Sequence, residues 1–425
     1  MSDGGPSNAG ASETWDVVVV GAGAAGLIAA AVASERGRRT LLLEKNRKPG
    51  VKILMSGGTR CNLTQATDNR GIVQAFGPQG RFLHSALAAL GVDETITLFE
   101  AEGVATKVES TGKVFPTSNR ATDVLAALVR RLRRTSCTLA LGEPLCQVTR
   151  EASGFQLTTP TRSFHTPRLL ITSGGRSYPG CGTTGEGYAW ARELGHTIVE
   201  PRPALVPLTT DAAWVRELKG ITIPDVAVQV IEPATAGGRE RVLAERRGSF
   251  LFTHFGLSGP VVLDVSRAVS GHAQPESLML QCDFLPAMSV AGFEQHLRTA
   301  IAAPGKRQLA GLLPPELPRR LTDALLQLAG LSPEVKAAEI SHRMLARIVE
   351  SLKRVKIPIR GTCGFAKAEV TAGGVSLDEV DSRTMQSKLV PNLFFAGEVL
   401  DLDGPIGGYN FQAAWSTGYL AGLHV

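Results

Sequence analysis

Cysteine is scarce and scattered in this chain. The six thiols among 425 residues, Cys61, Cys137, Cys146, Cys181, Cys282 and Cys363, form no C-x-x-C pair and no Cys/His cluster at metal-ligand spacing. No disulfide framework and no metal site are therefore expected, and the usage fits a reducing, cytoplasmic home. Aromatic residues make up only 5%, so base stacking is not advertised. The uncharged stretch Val17–Ala33 holds seventeen residues, three of them glycines, and follows Asp16 rather than a basic segment. Neither a membrane span nor a signal peptide is expected from it. Residues 1–14, small and polar, read as a disordered lead-in.

Glycine, by contrast, is plentiful. Its 46 residues are about 11% of the chain against roughly 7% on average, with no collagen period, so tight turns around a ligand are the natural reading. The length leaves room for two or three domains. Trp15–Val20 is a β-branched run suited to a buried parallel strand and leads straight into Gly21-x-Gly23-x-x-Gly26. An Ala-rich helix over Leu27–Arg36, a stop at Gly37 and a strand over Arg39–Glu44 complete a βαβ unit. Gly21 makes the turn, Gly23 lets a pyrophosphate approach the backbone, and Gly26 lets the helix pack closely; Ala24 and Ala25 lie in the first helical turn, whose N–H groups face the phosphates. Glu44 stands where an acid binds a ribose diol, which favours FAD or NAD over NADP at this site.

The flavin half of FAD fits the loops that follow better than NAD does. Lys45, Lys52 and the run Ser56-Gly57-Gly58-Thr-Arg60-Cys61-Asn62 form a second glycine loop with cations. Ser173-Gly174-Gly175 and Gly397-Glu398 each follow a strand, and Gly407-Gly408-Tyr409-Asn410 opens the last helix, whose N-terminus suits a reduced flavin. Gly180-x-Gly182-x-x-Gly185 repeats the fingerprint formally, but Arg176–Pro179 separates it from the preceding strand, so it is discounted as a dinucleotide turn.

Arg168–Ser173 and Asn392–Ala396 read as further buried strands, the second completing the first sheet from the far end of the chain. Prolines and short strands such as Val226–Ile231 and Phe250–Thr253 mark a β-rich region over residues 201–288, with a return strand near 345–358. Residues 289–352 read as a small helical insert, which leaves 15–200 and 356–425 for the dinucleotide domain.

Five segments, Lys52–Thr64, Gly112–Ala121, Ser173–Ile198, Leu251–Pro260 and Ala368–Tyr419, resemble the BaiN/YhiN-like flavoproteins, also labelled aminoacetone-oxidase-like or NAD(P)/FAD-dependent oxidoreductases. The resemblance runs from Trp15 to the C-terminus, weakens over 265–350, and departs from the family pattern at Pro405-Ile406. It implies an α/β protein: a discontinuous Rossmann-like FAD-binding domain, an inserted β-barrel-like domain and a small helical insert domain. It also implies non-covalent FAD, NAD(P)H as electron donor, and reduction of an activated C=C bond in a small molecule or, alternatively, in a uridine of ribosomal RNA. Amine oxidation and a non-catalytic flavin-binding role are further alternatives.

Flavin performs the redox step, so the protein need add a proton donor or acceptor and orientation. Cys61, with Arg60 beside it to lower its pKa, and His254 are the candidate donors, each weighed against a packing or turn-forming role; Tyr178 and Tyr409 read as shape-setting. Charge separates the substrate classes. The chain carries a net +6, and residues 296–360 hold twelve Lys and Arg against five Asp and Glu. The insert is thus the candidate RNA contact, or simply a solvated Arg-rich face. Arg130, Arg131, Arg133 and Arg134 form a second cluster at a helix end.

Overall fold

The structure is a computed structural model and describes residues 13–234, 238–304 and 306–425. The chain divides into two compact units, Met1–Pro201 with Val370–Val425, and Arg202–Glu369.

The first unit is built on a five-stranded parallel sheet in the order Leu393–Phe395, Leu169–Ile171, Val17–Val20, Thr40–Glu44 and Thr138–Leu141. The three central strands are buried throughout, which is why they read as continuous apolar runs rather than alternating ones. The late strand does complete the sheet, with Leu393 opposite Leu169. The helix Ala24–Glu35 follows the glycine turn, and the C-terminal helix Tyr409–His424 lies against it: a Cβ on Gly418 would stand 2.4 Å from the Ala25 carbonyl, and one on Gly422 2.7 Å from that of Ala29. A second sheet, of four strands, contains Glu13–Thr14 paired with Phe164–His165. Residues 13 and 14, expected in a disordered lead-in, are instead ordered by backbone pairing; residues 1–12 lie outside the described ones.

The second unit carries a seven-stranded sheet with Val355–Pro358 at one end and Gly361–Thr362 at the other. Only Ile359 and Arg360 separate these strands, so a single length of chain pairs with both edges and closes the sheet into a barrel. The helices Val290–Ala302, Arg319–Leu328 and His342–Lys353 come between the strands Met279–Asp283 and Val355–Pro358 of this sheet. The insert, expected as a domain of its own, shares one apolar core with the barrel: Phe293, Leu325, Ile348 and Leu352 cluster with Val228, Phe250 and Leu280. Three short helices have too little apolar surface to close a separate core. The return strand Val355–Pro358 lies in this unit, and so do the residues after it up to Glu369, which were expected in the FAD domain.

Lys353 joins these two parts. Its ammonium is buried, 2.7 Å from Asp283, and it donates to the carbonyls of Leu285, at 2.6 Å, and Met288. Replacing Lys353 by Met is expected to cost roughly 2–3 kcal/mol, less than a fully enclosed pair because Asp283 is a quarter exposed. A urea midpoint unchanged from the wild type would contradict this.

Candidate functional site

The glycine turn has the shape a pyrophosphate requires. A Cβ on Gly26 would fall 1.9 Å from the Gly21 carbonyl, so helix and turn meet backbone to backbone, whereas one on Gly23 would meet nothing within 4 Å. No side chain caps the helix that begins there, which leaves its first N–H groups, those of Ala24, Ala25 and Gly26, available to an anion. Thr172, not singled out from sequence, fixes the turn by donating to the carbonyls of Val20 (3.0 Å) and Gly21 (2.8 Å). Glu44 is buried at the end of its strand, and its two carboxylate oxygens accept from the N–H groups of Ala22 (2.9 Å) and Asn46 (2.8 Å). Each oxygen keeps a lone pair for a ribose hydroxyl.

The second glycine loop is more unusual than its composition suggests. After a right-handed start at Val51, Ser56 is extended and Gly57, Gly58 and Thr59 are all left-handed, as is Cys61 at φ 59°. Glycine accounts for the first two; Thr59 and Cys61 hold an unfavourable conformation that their surroundings must enforce. Arg60 supplies part of that hold, with its guanidinium 3.9 Å over the Phe115 ring and 2.7 Å from Glu109. Trp415, also unnoticed in the sequence, donates to the Leu63 carbonyl at 2.9 Å.

The remaining loops meet through Glu398, directly after Gly397. Its carboxylate pairs with Lys52 and accepts from Ser177 Oγ at 2.8 Å and the Thr371 N–H at 2.9 Å, and Lys52 reaches Ser177 Oγ at 2.6 Å. Lys45 pairs with Glu186 and reaches Thr184, while the Asn46 amide donates to the Cys181 carbonyl. The discounted glycine triplet thus lies against the segment after Glu44, and its Gly180 sits inside the short turn Pro179–Cys181, with Gly182 closing it, rather than following a strand. Asn410 spends its side-chain amide on Gly404, accepting from the N–H at 2.8 Å and donating to the carbonyl at 2.9 Å, so it shapes the loop before Gly407 and Gly408.

These residues fit FAD. Ser173 Oγ and Asn62 Oδ1 are buried with no partner among the described residues, an expense that a polar ligand beside Gly174, Gly175 and the second glycine loop would remove. Gly21, Gly23, Gly26 and Glu44 would hold the adenosine and pyrophosphate half.

The proton-donor candidates fare differently. Cys61 is fully buried, and burial pushes its thiol up to about 12. The lowering expected from Arg60 does not occur, because that guanidinium is engaged by Glu109 and Phe115. His254 belongs to the second unit, where it is exposed on the turn after the strand Arg241–Phe252, edge-on to Phe255. Among the described residues no group of His, Cys, Asp and Glu could hold a metal ion, and no single helix is long and apolar enough to cross a membrane.

Two outcomes follow from this geometry. A Cβ on Gly23 meets nothing among the described residues, so Gly23→Ala is expected to leave the circular dichroism unchanged but weaken FAD at least about tenfold, or 1.4 kcal/mol, in a flavin fluorescence titration. Gly26→Val should instead damage the fold. At pH 8 only about one Cys61 in ten thousand is thiolate. Iodoacetamide should therefore label exposed Cys146 in the folded protein and Cys61 only after unfolding, and rapid native labelling of Cys61 would refute its enclosure.

The HI0933-like protein Rossmann domain family matches residues 15–424. The chain is 35% identical over 407 residues to a ribosomal RNA dihydrouridine synthase of Escherichia coli, covering 96% of this chain and 97% of that one. It is 32% identical over 411 residues to a 3-dehydro-bile acid delta(4,6)-reductase of Clostridium scindens, covering 95% and 97%. Among solved structures, 3-ketosteroid delta1-dehydrogenase from Sterolibacterium denitrificans shares the fold at a TM-score of 0.52 and 13% identity, covering 97% and 99%. The chain belongs to the HI0933-like family of FAD-dependent oxidoreductases.

Proposed function

We propose that this oxidoreductase reduces the activated C5=C6 bond of a uridine in ribosomal RNA, with NAD(P)H as electron donor. The observation that carries the reading is similarity along essentially the whole of both chains to a protein of that activity. The bile-acid reductase supports a second reading, a small-molecule enone, and the two share their chemistry: a C=C bond conjugated to a carbonyl gains a hydride at one carbon and a proton at the other. Bound FAD supplies the two-electron chemistry. The chain's own residues would hold the pyrophosphate at Gly21–Gly26 and the ribose at Glu44, and the second glycine loop and Gly407–Gly408 would hold the flavin half. Of the two proton-donor candidates, His254 has an exposed ring and Cys61 does not. With a ribosomal substrate, the protein would work in the cytoplasm.

Charge supports RNA, in a narrower form than the residue count suggests. Of the twelve cations in residues 296–360, seven are in ion pairs with carboxylates, Lys353 among them, and Arg320 and Arg347 donate to the carbonyls of Glu217 and Ala329. Lys306, Arg307 and Arg343 have no such partner among the described residues. Exposed ion pairs are worth about 0–1 kcal/mol, so phosphates can displace most of the carboxylates. The cluster at the end of the helix Ala121–Arg133 is a weaker candidate, since Arg131 and Arg134 are paired with Glu35 and Glu102.

The test is anaerobic oxidation of NADH and NADPH with and without ribosomal RNA, followed by analysis for dihydrouridine. RNA-dependent turnover with dihydrouridine formed is expected, and turnover indifferent to RNA but present with a conjugated enone would move the assignment to small molecules. His254→Ala should retain FAD and lower turnover at least about tenfold.

A further inference from the structure

We propose that a cavity in the second unit, separate from the FAD-binding residues, docks an unstacked nucleobase carrying an exocyclic amine, beside a phosphate of the same RNA strand. The proposal rests on the RNA reading above and adds a site of sequence preference that is not the reacting uridine.

The cavity has a volume of about 300 Å³ and lies where the helix Val290–Ala302 meets the turn Leu309–Leu312 and the prolines after it. This is the right order of size for a single base. Its apolar wall includes Met288, Leu312 and Pro314; its polar lining is His296, Arg307 and Glu316. Arg307 and Glu316 carry opposite charges and line one cavity, yet they do not pair with each other, and neither side chain has another partner among the described residues. A cation and an anion held apart and exposed in this way suit a ligand that presents both an acceptor and a donor.

RNA offers that combination. The guanidinium and the imidazole can each meet a phosphate or stack on a base face, as exposed Arg and His side chains do on single strands. The Glu316 carboxylate is acceptor-only and selects a base with an N–H₂ group, as carboxylates do with cytosine N4. The backbone concentrates positive charge at the same rim. Gln308 bridges to Lys336, and the Ala337 N–H donates to the Arg307 carbonyl at 2.8 Å, which places Lys336 beside Lys306 and Arg307. Lys306, Arg307 and Lys336 thus share a cationic edge. Phosphates can follow this edge while one base turns into the cavity.

The experiment uses the full-length FAD-loaded protein and fluorescein-labelled single-stranded RNA, a short oligouridylate and the same strand with one central cytidine, read by anisotropy at fixed salt. The cytidine strand is expected to bind about fivefold or more tightly, in line with one good base contact. Glu316→Gln should erase most of that preference while leaving the oligouridylate affinity near wild type. Arg307→Glu should weaken both strands and reduce the salt dependence. Equal binding of the two strands by the wild type, or a preference unaltered in Glu316→Gln, would overturn the base site and leave the RNA reading standing. Failure of both strands to bind, together with RNA-independent turnover, would overturn both. The substituted side chains are exposed, and an unchanged melting temperature and flavin spectrum confirm that the variants fold.

Discussion

Backbone packed directly on backbone is the constraint from which the FAD domain is built. The helix Ala24–Glu35 is pinned at its N-terminal end by Gly26 on Gly21, and along its side by Gly418 and Gly422 on the carbonyls of Ala25 and Ala29. Nearly all of its residues are buried, and it has no polar face to orient it. Contact at this distance leaves no room for sliding. The positions of the glycine turn, of Glu44 across the sheet and of Gly397 and Gly408 ahead of the last helix are therefore set together. A methyl group at any of these contacts would displace the helix before it touched a ligand.

Charge is organised differently in the two units. In the first, Lys45, Lys52 and Arg60, which sequence reasoning placed against the cofactor, each hold a carboxylate from a distant part of the chain. Their joint effect is to tie loops from four places into one rim. In the second, the cations that are paired mostly hold carboxylates within a helical turn or across neighbouring strands. What remains for a polyanion is a weakly neutralised field with a few unpaired centres, and it is stronger as a collective surface than as any single contact.

The parts of the molecule legible in the sequence are those with a local signature. The βαβ unit, Glu44, the late strand at Leu393–Phe395 and the change to a barrel could be read because strand burial, turn glycines and prolines act over a few residues. The link between Lys52 and Glu398, 346 positions apart, could not. Thr172, Ser177, Thr371 and Trp415 act through one hydroxyl or one N–H each, and nothing nearby marks them. Lys353 looked like one more surface cation, since the sequence does not show that Asp283 and two carbonyls await it. The lowering of the Cys61 thiol by Arg60 failed for a related reason: proximity in sequence says nothing of where the guanidinium points.

The insertion of the barrel unit between the strands Leu169–Ile171 and Leu393–Phe395 also sets an order of assembly. Residues 202–369 leave the ribosome before the fifth strand, Glu398 and the last helix exist, and domains tend to fold as they emerge. The barrel can thus mature while the flavin cradle still lacks one wall. Closure of the cradle waits until the strand Leu393–Phe395 and the helix Tyr409–His424 have been made.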